Sequence, residues 1–532
     1  MKSALYTAIF AAAASLLLAS CDKQPSPVST RDWSGTTEYF ASSDESFSAT
    51  YYRPCVGYVG DPMPFYDPLN GDFKIMYLQD FRPNQVGTYH PYWGLSTSDG
   101  ASYTSLGELL PCGGQEEQDA ALGTGSVIYN PSDALYYTFY TGRKHNPTLS
   151  ENAEAVMMAT SPDMLSWTKD RTFILRGNDW GYSRDDFRDP CVFADSEGLY
   201  HMVVSTSKAG KGTLAEFTSP DLKKWTHLGD FLKMPWDRFY ECPDVFKLGD
   251  WWYLVYSEMH SAIRRVQYFK ASSLDALRSV TGDDSPLWPD TREGYLDSRG
   301  LYAGKTASDG TVRYLWGWCP TRTGKDNTAV GAYPAEPEWG GSLVMHRLLQ
   351  REDGSLVLGP VDAIAEKYAT RENVSLMETS ENGATFADGV LSLEAGESWA
   401  LFSRLGAHNL LEMSVKSGGK FSVSLCRGSD SEKWYSIAVN PEDGGAKRKV
   451  NFEEEGPSGK GYIDGIDSYK FDVPSDGVYN LRLFTDNSVA VLYINDVCCW
   501  TNRIYGVAKN CWSINSYDSA VEVSGISIHS YR

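Results

Sequence analysis

The chain has 532 residues, 48 Lys and Arg against 69 Asp and Glu, and a formal net charge of −21. That charge repels a phosphate backbone and the basic residues form no runs, so nucleic acid is excluded as a partner. With 42% hydrophobic and 22% charged residues the chain is globular, and it is too long for one hydrophobic core, so two domains are expected.

The first segment reads as a leader (residues 1–21). Lys2 supplies a positive start, Ala4 to Leu18 is apolar but too short to span a bilayer, and Leu18-Ala19-Ser20-Cys21 follows. A small-residue cleavage site ending in Cys resembles a bacterial lipobox. Cys21 is therefore expected to carry a lipid anchor to the bacterial envelope. Residues 22–49 are polar and read as a tether. No later segment is apolar enough to cross a membrane, so contact with a membrane is expected through the N-terminal lipid only. The ten cysteines include no Cys-x-x-Cys pair, which leaves a zinc site unsupported, and mostly buried free thiols are expected.

Five β-rich segments follow: Lys74–Phe81, Ala134–Thr141, Leu199–Thr206, Trp251–Ser257 and Val312–Trp318. They start roughly 50–65 residues apart, a period that fits propeller blades. Thr160-Ser-Pro-Asp-Met-Leu-Ser-Trp167 recurs as Thr218-Ser-Pro-Asp-Leu-Lys-Lys-Trp225, with weaker echoes at Ser96–Asp99 and Ala271–Asp275. These repeats read as structural turns. The fold expected is all-β, with a five-bladed β-propeller over residues 50–370.

An acidic residue precedes each of those segments: Asp61, Asp119, Asp189, Glu241 and Asp297. In a propeller the first strand of each blade lines the axis, so all five are expected to converge there. Gathered carboxylates raise each other's pKa, which allows one to remain ionised while another holds a proton. Glycoside cleavage needs that pair. Three of the acids lie near a proline, in Gly60-Asp61-Pro62, Arg188-Asp189-Pro190 and Glu241-Cys242-Pro243. Proline stiffens the backbone that holds them.

These motifs, in this order, resemble glycoside hydrolase family 32, which includes invertases, inulinases and levanases. Phe187-Arg-Asp-Pro190 resembles the family's Arg-Asp-Pro motif, and Glu241-Cys-Pro243 its Glu-Cys-Pro motif. Gly60-Asp-Pro62 resembles its nucleophile motif. Gly123-Thr-Gly-Ser126, Leu301-Tyr-Ala303 and Trp339-Gly-Gly341 resemble further stretches of it. The resemblance implies Asp61 as nucleophile at the anomeric C2 of fructose and Glu241 as general acid and then base. It implies that Asp189, oriented by Arg188, grips the fructose hydroxyls. Gln79, Trp93, Ser126 and Trp339 fall where the family places substrate residues. The implied reaction is retaining hydrolysis of β-fructofuranosidic bonds in fructans (levan or inulin) or sucrose-type oligosaccharides, without metal or cofactor, by a monomer. Retention would put nucleophile and acid ~5–5.5 Å apart.

The chain departs from the family at Gly60, where Asn is usual, at Met63 and Pro64, and at Tyr92–Leu95, which lacks a family His. Two alternatives stand beside the main reading. One is an inverting arabinosidase or xylosidase on the same architecture, against which Glu241-Cys-Pro243 argues. The other is a non-catalytic glycan-binding lipoprotein, which the altered first motif favours.

Residues 375–532 change character. Asn480–Thr485 and Val489–Ile494 read as a hairpin, while Phe421–Leu425 and Trp434–Val439 alternate as half-buried strands. A β-sandwich that props the propeller is expected. The link from Pro360 to Arg371 is expected to hold one short helix.

Overall fold

The computed structural model describes residues 50–54, 57–81, 90–233, 239–258, 265–280, 293–322, 337–381, 383–427, 434–441, 448–456, 459–468 and 473–531. The leader with Cys21, the tether, Cys55, residues 82–89 and residues 234–238 lie outside the described residues.

The described N-terminal residues form five antiparallel blades, each running outward from an inner strand. The first holds β1 (Tyr58–Asp67), β2 (Asp72–Asp80), β3 (Tyr92–Thr97) and β4 (Thr104–Leu110). The second holds β5 (Ala121–Asn130), β6 (Leu135–Arg143), β7 (Glu154–Ser161) and β8 (Thr168–Leu175). The third holds β9 (Phe187–Ala194), β10 (Tyr200–Lys208), β11 (Lys211–Ser219) and β12 (Thr226–Lys233). The fourth holds β13 (Tyr240–Leu248), β14 (Trp251–Glu258), β15 (Arg265–Ala271) and β16 (Glu293–Tyr295). The fifth holds β17 (Tyr302–Ser308), β18 (Arg313–Arg322), β19 (Pro337–Gln350) and β20 (Leu356–Gly359). The ring closes where Val59 of β1 pairs with Gly341 of β19.

The five β-rich sequence segments are thus the second strand of each blade. These strands are buried on both faces, as their near-continuous apolar runs require. The Ser-Pro-Asp repeat builds one turn twice. Asp163 accepts from the backbone N–H of Leu165 and Ser166, and Trp167 Nε1 donates to the Met164 carbonyl. Asp221, Lys223, Lys224, Leu222 and Trp225 repeat those bonds. Asp99 forms the same turn with Ala101 and Ser102.

A short helix, α1 (Leu274–Arg278), follows β15, and a second, α2 (Asp362–Glu366), bridges to the C-terminal domain. That domain packs two sheets. One orders β23 (Ala384–Ala387), β24 (Val390–Leu393), β35 (Val521–Ser530), β26 (His408–Ser417), β31 (Val478–Asp486), β32 (Val489–Ile494) and β33 (Cys498–Arg503), with β21 (Thr370–Arg371) on β35. The other orders β22 (Leu376–Thr379), β25 (Trp399–Phe402), β34 (Cys511–Ser516), β27 (Phe421–Arg427), β28 (Trp434–Asn440), β29 (Arg448–Gly456) and β30 (Gly459–Ser468).

Strand β32 shows why this domain must touch the propeller. Side chains alternate across a strand. Ala490, Leu492 and Ile494 enter the sandwich core, whereas Val489, Val491 and Tyr493 join the apolar cluster of blades one, four and five. A strand apolar on both faces needs two partners. The eight described cysteines are free thiols, so the core rests on packing.

Candidate active site

Each inner strand breaks register at one place. The ladder slips between Val59 and Pro62, Gly123 and Gly125, Arg188 and Cys191, Glu241 and Asp244, and Tyr302 and Lys305. A bulge re-aims side chains, and five at one level turn a ring of residues toward the axis. In the last three blades the bulge holds a non-glycine residue at positive φ: Asp189 at 55°, Cys242 at 50° and Ala303 at 53°. Such backbone costs about 1–3 kcal/mol and persists only where its surroundings impose it.

The bulges meet in a pocket of ≈ 720 Å³ whose lining includes Asp61, Thr124, Arg188, Asp189, Glu241, Tyr302 and Trp339. Hydrogen bonds join the blades around it. Asp61 accepts from Thr124 Oγ1 at 2.5 Å and from Trp318 Nε1 at 2.9 Å. Thr141 Oγ1 donates to the Thr124 carbonyl and accepts from the Asp189 N–H. Asp189 Oδ2 accepts from the Cys242 N–H at 2.9 Å. Glu241 accepts from Arg188 Nη2 at 3.2 Å and from the Tyr302 hydroxyl at 2.5 Å. The Tyr302 ring lies 5.5 Å from that of Trp318, which returns to Asp61. The five blades thereby fix three carboxylates from sites remote in the chain.

Arg188 is the central cation. It bonds Glu154, Asp186 and Glu241, and its guanidinium sits 4.1 Å from the Phe239 ring centroid. Burial pushes the Asp61 carboxyl above its ordinary pKa, and the donors Thr124 and Trp318 pull it back. Burial pushes Asp189 up to about 7, with Arg188 opposing and the charges of Glu241 and Asp61 adding. Burial also raises Glu154, against the pull of Arg188.

The Asp189 shift predicts a pH dependence of stability. An unfolded Asp loses its proton near pH ~4, whereas the folded one keeps it until about 7, so between these values the native state binds more protons and stability falls as pH rises. Asp189→Asn should remove this component. The variant's thermal midpoint should gain on the wild type between pH 4.5 and 8; parallel melting curves at both values would contradict the assignment.

Two of the five expected axial acids are elsewhere. Asp119 precedes β5 and is bound by Lys169 and Arg171 of β8, away from the axis. Thr124 fills its bulge position. Asp297 is buried against the sandwich, where it accepts from the Thr501 N–H and hydroxyl, and Tyr302 takes the axial place. Both acids were placed by distance from a strand, whereas the bulge decides which side chain faces the axis.

Three expected substrate residues do not line the pocket among the described residues. Gln79 is buried, accepting from Tyr77 and donating to the Asp80 carbonyl. Trp93 is buried with its ring edge-on to Phe81. Ser126 accepts from the Val192 N–H and lines a smaller cavity. Thr124, Tyr302 and Trp318 were present in the quoted sequence stretches, but only the fold shows that they hold the acids.

Asp297, His346 and Cys499 bring ligand atoms within 4.8 Å of one another. Hydrogen bonds already occupy this knot: Thr501 and Ser298 donate to Asp297, and His346 Nδ1 pairs with the Tyr493 hydroxyl. It serves as a joint between the domains.

A pocket at a propeller axis with two carboxylates held by fixed donors, and a third beside them, is the arrangement of a glycoside hydrolase. The model for the glycosyl hydrolases family 32 N-terminal domain matches residues 51–360, and that for the GH32, BT1760-like, C-terminal domain matches residues 354–528. The chain belongs to glycoside hydrolase family 32. A sucrose-6-phosphate hydrolase of Escherichia coli is 22% identical over 474 residues, 86% of this chain and 88% of that protein. One from Vibrio alginolyticus is 24% identical over 332 residues, 60% of this chain and 64% of its own length. Among solved structures, sucrose-6-phosphate hydrolase from Lactobacillus gasseri superposes with TM-score 0.69 at 18% identity, covering 95% of this chain and 98% of that one. Fructan 1-exohydrolase IIa from Cichorium intybus gives 0.70 at 16%, covering 92% and 98%. These structures share the two-domain fold.

Proposed function

We propose that the protein is a retaining β-fructosidase that cleaves uncharged fructans (levan or inulin) or sucrose-type oligosaccharides. The observation that carries this reading is the placement of Asp61 and Glu241 in one pocket, each held by two side-chain donors. Asp61 attacks the anomeric C2 while Glu241 gives its proton to the leaving oxygen, forming a fructosyl ester. Water then attacks C2, Glu241 takes its proton, and the Asp61 ester bond breaks to release fructose. Asp189 holds the sugar hydroxyls.

Charge favours a neutral substrate. Eight carboxylate residues line the pocket against two arginines, of which Arg188 is committed to Glu154, Asp186 and Glu241. A phosphate dianion entering that field meets repulsion. We further propose that Cys21 anchors the enzyme to the bacterial envelope, on the strength of Leu18-Ala-Ser-Cys21.

The test measures fructose released from levan, inulin, sucrose and sucrose 6-phosphate, with the whole protein expressed in cells beside a Cys21→Ala variant. Release from the neutral fructosides, at least tenfold more efficient for sucrose than for its 6-phosphate, and a shift of activity to the soluble fraction in the variant are expected. No fructose from any substrate would overturn the enzymatic reading. Arabinose or xylose released from plant glycans would point to the inverting class. Equal use of the phosphate would overturn the charge argument, and unchanged membrane retention the anchor.

A further inference from the structure

Arg143 ends β6 at the rim of the pocket, exposed on a strand that is otherwise almost wholly buried. Glu154 of β7 stands directly opposite it in the ladder, a register in which unlike charges normally pair. Here they do not. Glu154 turns inward, where its Oε2 accepts from the Phe187 N–H and from Arg188 Nη1, both at 3.1 Å. Among the described residues Arg143 makes no side-chain hydrogen bond and no ion pair.

The backbone on either side of this free side chain is pinned. Gln118 Nε2 donates to the Gly142 carbonyl at 3.1 Å, and the Lys144 N–H to the Ala153 carbonyl at 2.8 Å. Lys144 itself is paired with Glu151. The position relative to the acid follows from the bonds between. Arg188 reaches Glu241 at 3.2 Å with one amino group and Glu154 at 3.1 Å with the other, and Glu154 faces Arg143. A line drawn outward from the proton donor therefore ends at Arg143, on the side to which Glu241 releases the leaving oxygen.

We propose that Arg143 is a specificity-determining residue that holds the leaving sugar, its planar donors forking onto that ring's hydroxyl oxygens. The inference rests on the fructosidase reading and adds a contact beyond the fructosyl unit. A guanidinium presents five N–H donors in a fixed plane, and neighbouring ring hydroxyls offer it paired acceptors. The eight carboxylate residues of the lining keep the site hostile to an anion, so the group it reads is neutral.

A comparison across leaving groups on the whole protein tests this. Arg143→Ala should lower kcat/KM about tenfold on sucrose and on a fructan trisaccharide, chiefly through KM, as expected for the loss of a charged donor to a hydroxyl. Methyl β-fructofuranoside, which has no leaving sugar, should stay within about twofold. Equal losses on all three, or none on sucrose, would overturn the proposal. A greater loss on sucrose 6-phosphate than on sucrose would make the guanidinium an anion reader and overturn it as well. The thermal midpoint should not change; a drop would mean that Arg143 is bonded within the protein, against the proposal. Binding gives a readout apart from turnover. In the Glu241→Gln background, Arg143→Ala should weaken the trisaccharide about tenfold in calorimetry and leave free fructose unaffected. A wild type inactive on every fructoside would sink the functional reading, and this binding pair would then decide the proposal alone, with unchanged or absent trisaccharide binding overturning it.

Discussion

Asp61→Asn and Glu241→Gln should each lower kcat on sucrose or levan by at least about a thousandfold, in keeping with the loss of a nucleophile or of a positioned acid. Neither should lower the thermal midpoint. Asparagine keeps an oxygen for Trp318, can turn its amide N–H to the Thr124 hydroxyl as acceptor, and removes a charge that burial disfavours. Glutamine keeps an acceptor for Tyr302 or Arg188. The two variants differ in kind. An aryl fructoside, whose leaving group departs without a proton, should restore the first step for Glu241→Gln and allow the fructosyl ester to accumulate. It should do nothing for Asp61→Asn, which has no carboxylate to form that ester. Near-normal turnover in either variant, or rescue of Asp61→Asn by the activated substrate, would dismantle the assignment. Steady-state rates and the mass of the trapped enzyme decide it.

The blade rhythm was legible because the second strand of each blade is buried on both faces and therefore written in apolar letters. The acids at Asp61, Asp189 and Glu241 were legible because proline accompanies each. Asp119 and Asp297 were misplaced because each lies ahead of its blade's inner strand, before the bulge that aims a side chain at the axis, and is taken up instead by a salt bridge or by the sandwich. Nothing local in the sequence marks those bulges in blades two and five, where glycine and alanine stand in place of the proline motif. The donors Thr124, Tyr302 and Trp318 act across blades, so their pairing with the acids exists only once the ring has closed.

Closure also explains the second domain. Arg503 of β33 is fully buried, yet it reaches into blade five. Its Nε donates to the Pro320 carbonyl at 2.7 Å, Nη2 to the Cys319 carbonyl at 2.9 Å and to Ser342 at 3.0 Å, and Nη1 to Ser488 at 2.7 Å. Cys319 and Pro320 follow Trp318, which holds Asp61, and Ser342 follows Gly341, which seals the ring against Val59. One sandwich residue thus braces both strands beside the nucleophile. Arg503→Met should take a charged donor from two buried carbonyls and two buried hydroxyls, for a loss of the order of 3 kcal/mol. Arg503→Lys should recover little, because one ammonium does not span four acceptors. At temperatures where the fold persists, Arg503→Met should still lower kcat, since Trp318 and the β1–β19 seam lose their support. Melting curves and rates measured on the same preparations test both halves. An unchanged midpoint would show that the sandwich does not brace the propeller here. A lowered midpoint with full activity would confine its role to stability and detach it from the positioning of Asp61.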